Sequence, residues 1–110
     1  MTSIFIVSSY PMFSRGLESL LHQEGRLKVV GHEAKIDQAR KRITELQPDV
    51  VILDCTDPSP GAIFPLIDIL QENVGIKIMG VNLHENNLYL YQARRGVITG
   101  VEELMEVILQ

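Results

Sequence analysis

Two serines and one aspartate carry most of the chemistry that this sequence offers. Ser8 and Ser9 follow the apolar run Ile4-Phe5-Ile6-Val7, and Asp54 closes the run Asp49-Val50-Val51-Ile52-Leu53. If both runs are strands pointing the same way, their ends bring two hydroxyls and a carboxylate to one crevice. Hydroxyls and loop amides there could bind an anion or small ligand, although serines in such a turn commonly satisfy the backbone instead. For Asp54 the favoured role is a strand-end carboxylate bonded to loop amides. Asp57 could join a rearranged metal site but reads better as an exposed loop acid. Cys55, Asp54 and His32 raise the idea of thiol chemistry. No base is placed by the sequence, so a small cysteine packed beside the sheet is the better reading. His22 and His84 read as surface histidines.

The elements that must position these groups follow from hydrophobic period. Ile4 to Val7, Leu27 to Gly31, Asp49 to Asp54 and Ile76 to Val81 are short apolar runs, as expected for parallel strands buried on both faces. The third is the most apolar and is expected at the centre of the sheet. Between them the period becomes helical. Phe13, Leu17, Leu20 and Leu21 share a stripe, with Gly25 as a C-terminal cap. Ala39, Ile43 and Leu46 share another, stopped at Gln47-Pro48. Ile63, Leu66, Ile67 and Leu70 mark a third, with Pro65 tolerable only near its first turn. Thr56 to Gly61 is a loop. Thr99-Gly100-Val101-Glu102 reads as a capping box, opening a last helix that faces inward through Val101, Leu104, Met105 and Ile108. Strands alternating with helices imply right-handed crossovers and a doubly wound α/β sheet.

Asn86 to Ile98 breaks this rhythm. Leu88, Tyr91 and Arg95 make a poor helical stripe, whereas Leu88, Leu90 and Gln92 alternate with Tyr89 and Tyr91 at the strand period. The expectation is a hairpin across Glu85 to Asn87 and an antiparallel strand at 88–92. Leu88 and Leu90 would face the core, and Tyr89 and Tyr91 would form an interface for a protein partner or a second copy.

Composition sets the outer bounds. The chain has 110 residues, enough for one domain with its own core, and its 45% hydrophobic content is ordinary for a globular protein. One cysteine rules out an internal disulfide. No leader or membrane-spanning run is evident, so the cytoplasm is the expected location. The formal charge is −4, and the densest basic runs read as a solvated helix face, Arg40-Lys41-Arg42, and a turn, Arg94-Arg95. Direct nucleic-acid binding is not expected of such a surface.

Several strings resemble bacterial response-regulator receiver domains, particularly those joined to a helix-turn-helix output domain. Ile6-Val7-Ser8-Ser9-Tyr10-Pro11-Met12-Phe13-Ser14-Arg15-Gly16-Leu17 looks like the first strand and helix of that family. Val29-Val30-Gly31 looks like its second strand, Pro48-Asp49-Val50-Val51-Ile52-Leu53-Asp54 like its third, and Glu102 to Ile108 like its final helix. The resemblance implies a flavodoxin-like sheet of order 2-1-3-4-5, with residues 1–110 as a single receiver-like domain. It also puts Asp54 on the phosphoacceptor position, with Pro58 four residues on. In such families an output domain can follow, here beyond Gln110.

The departures bear on chemistry. Ser8 and Ser9 stand where the family has two acidic residues that hold Mg²⁺, and the switch Ser/Thr position is Asn82. The lysine at the end of the fifth strand has no counterpart, because the segment before the last helix is about six residues short; the fourth helix is expected to be lost there. Magnesium needs anionic oxygens in octahedral geometry. Two unit charges about 4 Å apart interact by about 4 kcal/mol at an effective dielectric of 20, so replacing two carboxylates by hydroxyls removes several kcal/mol of metal attraction. The expectation is a non-enzymatic, phosphorylation-independent signalling module with no cofactor and weak or absent Mg²⁺ binding. The alternatives are a phosphoacceptor working through Asp54 and a small-ligand sensor at the crevice.

Overall fold

The apolar runs at the heart of the chain become β1 (Thr2–Val7) and β3 (Val50–Asp54), with β4 (Lys77–Asn82) beside β3. Ile and Val on both faces of these strands suit positions covered by helices above and below. β2 (Leu27–Glu33) lies outside β1, and β5 (Asn87–Gln92) lies outside β4. The sheet order is β2-β1-β3-β4-β5, so β3 is central as its composition implied. The first four strands are parallel and β5 is antiparallel to β4. The helices are α1 (Pro11–His22), α2 (Ile36–Leu46), α3 (Ile63–Glu72) and α4 (Val101–Ile108). The computed structural model describes residues 1–55, 63–82, 84–93 and 100–110. The expected loop from Thr56 to Gly61, with Asp57 and Pro58, and Arg94, Arg95 and Thr99 lie outside the described residues, as do the side chains of Ile63 and Leu66.

The core lies on both faces of the sheet. Phe5, Val7, Val51, Ile76 and Ile78 pack with Ala39 and Ile43 of α2 and Ile69 of α3. On the other face Ile4, Ile6 and Ile52 pack with Leu17 and Leu21 of α1. Strand alternation divides these sets, since successive side chains point to opposite faces. At the β1–β2 seam the register shifts between Ile4 and Phe5, which sets Phe5 opposite Gly31. A Cβ on Gly31 would come within 2.9 Å of the Phe5 ring and 3.0 Å of Arg42 Nη2, so a larger residue there would have to displace the buried ring. The Arg42 guanidinium lies 5.3 Å from the centre of that ring. α2 ends with Gln47 in the left-handed region, φ 49°, immediately before Pro48.

Among the described residues no helix stands between β4 and β5, and the antiparallel strand is present, both as expected. Only residues 83–86 separate β4 from β5, with Asn82 paired to Asn87, which leaves no space for a helix. The facing of β5 is the reverse of the expectation. Tyr91 packs on the cluster containing Ile78, whereas Leu88 and Leu90 are 61% and 60% exposed. The cause is register: Tyr91 lies opposite Ile78 and Tyr89 opposite Gly80, so both tyrosines share the α2–α3 face. Gly80 leaves space that is flanked by Cys55 Sγ, the Tyr91 ring and the Tyr89 Cβ.

Other helix expectations need correction too. α4 buries none of its side chains, and Val101, Leu104, Met105 and Ile108 are exposed. Its N-cap is Gly100, with no side-chain cap bond. Leu20, Leu46 and Ile67 also face solvent; in α3 the buried positions are Ile69 and, partly, Leu70. The C-cap of α1 is Gln23, two residues before Gly25. Among the described residues, no helix is long and apolar enough to cross a membrane.

Candidate functional site

Parallel register brings the strand-end groups together. Val7 lies opposite Leu53, so the next residues, Ser8 and Asp54, meet just beyond the β1–β3 ladder. The Ser8 amide donates to the Glu33 carbonyl at 2.9 Å, extending the β1–β2 pairing by one bond and fixing the residue. Ser8 is only 8% exposed. Its Oγ donates to Asp54 Oδ2 at 3.1 Å and accepts the Tyr10 amide at 3.1 Å. Tyr10 is the N-cap of α1, and Pro11 follows it as the first helical residue. The Tyr10 amide is a member of the site that sequence reading did not single out; the Ser-x-Tyr-Pro turn was the available signal.

The remaining candidates separate from this pair. Ser9 is exposed on the turn. The Asn82 side chain is committed to the β4–β5 connection, where its Oδ1 accepts the amides of His84 and Glu85 at 3.0 and 3.1 Å. Asn86, with φ 55°, completes that turn. Cys55 follows Asp54, and its amide donates to the Val81 carbonyl at 2.8 Å. Burial, then the nearby Asp54 charge, pushes the Cys55 thiol above the usual range, which keeps it a poor nucleophile at neutral pH. His32 pairs with Ile6 on β2, with β1 between it and β3, so the thiol has no histidine base from that strand. His22 lies on α1, 3.5 Å from Glu18.

Among the described residues the donor set does not fit a magnesium ion. Ser8 offers a neutral hydroxyl whose proton is already directed at Asp54, and Ser9 is exposed and carries no negative charge. Magnesium sites draw on carboxylates and waters in octahedral array. Among the described residues no group of three His, Cys, Asp or Glu is placed to hold a metal. The chain's four lysines are Lys28, Lys35, Lys41 and Lys77. Lys77 pairs with Val50, at the far end of β3 from Asp54. A phosphoryl group placed on Asp54 would therefore have no lysine from the following sequence to neutralise its oxygens.

No family model matches the sequence. Response regulator GacA of Pseudomonas viridiflava is 25% identical over 115 residues, covering 98% of this chain and 54% of GacA. The DNA-binding transcriptional activator DevR/DosR of Mycobacterium tuberculosis is 33% identical over 71 residues, covering 64% of this chain and 33% of that protein. The crystal structure of a LuxR-family two-component response regulator from an Aurantimonas species matches with a TM-score of 0.67. Its identity is 28%, over 76% of this chain and 61% of that one. The chain spans about half the length of the first curated relatives it matches.

Proposed function

From the premise that this chain has the receiver fold, and that its relatives are response regulators, we propose that it is an atypical receiver acting without phosphorylation. It works as a cytoplasmic protein-interaction module of a signalling or transcriptional regulator, through the region from Leu88 to Gln110. The observation that carries this reading is the Ser8 Oγ to Asp54 Oδ2 bond. A carboxylate that attacks a phosphodonor must meet another anion, and a divalent cation ordinarily offsets that repulsion. Here the acceptor's neighbour is a hydroxyl that occupies one carboxylate oxygen, and the acidic pair that would recruit the cation is Ser8-Ser9.

The test is intact mass after incubation with acetyl phosphate and Mg²⁺. The expected spectrum shows unmodified chain. A substantial species heavier by one phosphoryl group, lost in Asp54→Asn, would make the protein a working phosphoacceptor instead.

A further inference from the structure

An open sheet has two edges, and each exposes a row of backbone donors and acceptors that can pair with another chain. The β2 edge is guarded. It carries Lys28, His32 and Glu33, and its pairing with β1 is irregular at Ile4/Phe5. Arg42 Nη1 donates to the His32 carbonyl at 2.9 Å and thereby covers an edge acceptor. Helices α1 and α2 both pack on this strand.

The β5 edge has none of these protections. Its sequence, Asn-Leu-Tyr-Leu-Tyr-Gln, contains no charge, no proline and no glycine. Its pairing with β4 runs through six consecutive residues without a break in register. Among the described residues no strand pairs with its outer side. Three of its large side chains, Leu88, Leu90 and Tyr89, remain 61%, 60% and 45% exposed. Uncharged six-residue segments rich in strand-favouring side chains are the kind that add to another strand.

We propose that β5 is a self-pairing edge, joining two copies through an antiparallel β5–β5 contact into one continuous sheet. A second copy is the occupant that this strand selects. Another strand is the partner that meets the whole row of edge donors and acceptors at once, and an uncharged strand meets its own copy without like-charge repulsion. Antiparallel pairing of identical strands is also two-fold symmetric and therefore closes as a dimer. Residues directly opposite in an antiparallel pair share a face. Centring the axis on Tyr89 places Leu88 of each copy against Leu90 of the other, so the contact makes two leucine pairs and each exposed leucine gains one opposite neighbour. The contact is at the small end of specific interfaces, so it is a reversible dimer. It rests on the reading of the 88–110 region as the interaction region and does not involve Asp54.

Sedimentation velocity of the 110-residue chain, without phosphodonor, is the first measurement. The expected result is a concentration-dependent dimer, with self-association weakened at least about tenfold in Leu90→Lys. At concentrations low enough for the wild type to be monomeric, the melting temperature should be little changed, because that side chain is 60% exposed. The second measurement is disulfide trapping in a Cys55→Ser background. Opposed antiparallel residues have Cα separations that a disulfide accepts. Tyr89→Cys should therefore cross-link selectively, ahead of Ser19→Cys on α1 and Met105→Cys on α4. A wild type that stays monomeric throughout overturns the proposal. So does a dimer that is indifferent to Leu90→Lys and traps through Met105→Cys. Phosphorylation at Asp54 in the mass assay would refute the proposed function and leave this result standing.

Discussion

The same pair of residue types joins β1 to β3 at both ends. At the amino end, the Ser3 amide donates to Asp49 Oδ2 at 2.8 Å and its Oγ donates to the same oxygen at 3.1 Å. The Asp49 amide returns a bond to Ser3 Oγ at 3.0 Å. At the carboxyl end, Ser8 Oγ donates to Asp54 Oδ2 at 3.1 Å and accepts the Tyr10 amide. The first pair is exposed and ties a strand start to the loop before its neighbour. The second is partly buried and stands where a doubly wound sheet binds ligands. A serine beside an aspartate is thus a latch in both places, and location alone does not give the carboxyl-end pair a chemistry. The difference that a catalytic pole needs is a second negative group for a cation, and that is what Ser8-Ser9 lacks.

The strongest way to break the comparison is to give the carboxyl end that group. Ser8→Asp removes the hydroxyl donor and places a second carboxylate beside Asp54 in a largely buried position. Unit charges about 4 Å apart repel by about 4 kcal/mol at an effective dielectric of 20. We expect a loss of about 2–4 kcal/mol, read as a fall of about 10 °C or more in Tm. Magnesium at millimolar concentration should recover part of that fall in the Ser8→Asp, Ser9→Asp double variant, while leaving the wild type unmoved. A wild type stabilised by magnesium to the same extent would mean that its own donors suffice.

Removing the carboxyl-end latch should have a smaller effect. Ser8→Ala deletes the hydrogen bond to the Asp54 carboxylate and the one that Ser8 Oγ accepts from the Tyr10 amide. Such losses cost about 1–2 kcal/mol. Chemical denaturation should show a lower midpoint with an unchanged slope. If Ser8→Ala instead matched or exceeded wild-type stability, the pair would be a strained arrangement kept for another purpose.

How far the sequence disclosed this arrangement depends on which pattern carried each part. Asp54 and Ser8 were legible because two apolar runs of clear strand type fix where their ends lie, and parallel register does the rest. The hairpin was legible in Leu88-Tyr89-Leu90-Tyr91 because period two excludes a helix. Its facing was not, since both alternating sets are apolar and a shift of one residue inverts every side chain. Pairing with Ile78 and the space over Gly80 decided it. The α4 stripe was visible as an amphipathic pattern, but such a pattern says only that a face is apolar, not what covers it. Ser3 and Asp49 were passed over because exposed polar residues at strand starts carry no periodic signal.

The smallest effect belongs to the amino-end latch, and it has a signature in pH. The Ser3 amide and then its hydroxyl, both donating to the carboxylate, hold Asp49 below the usual aspartate range. In the unfolded chain that carboxyl returns to the ordinary range, so between the two values the unfolded state binds more protons. Stability from this group is therefore fully present above the unfolded value and is lost as pH falls through the lowered folded value. Because Asp49 is exposed, solvent screens the interaction and the effect on stability is slight. Asp49→Asn removes the titration and weakens the acceptor. Its Tm should lie slightly below that of the wild type at neutral pH, and the gap should close as the pH drops below the usual aspartate range. A gap that stayed constant into acid would assign the difference to amide packing rather than charge, and one that widened in acid would contradict the sign of the shift.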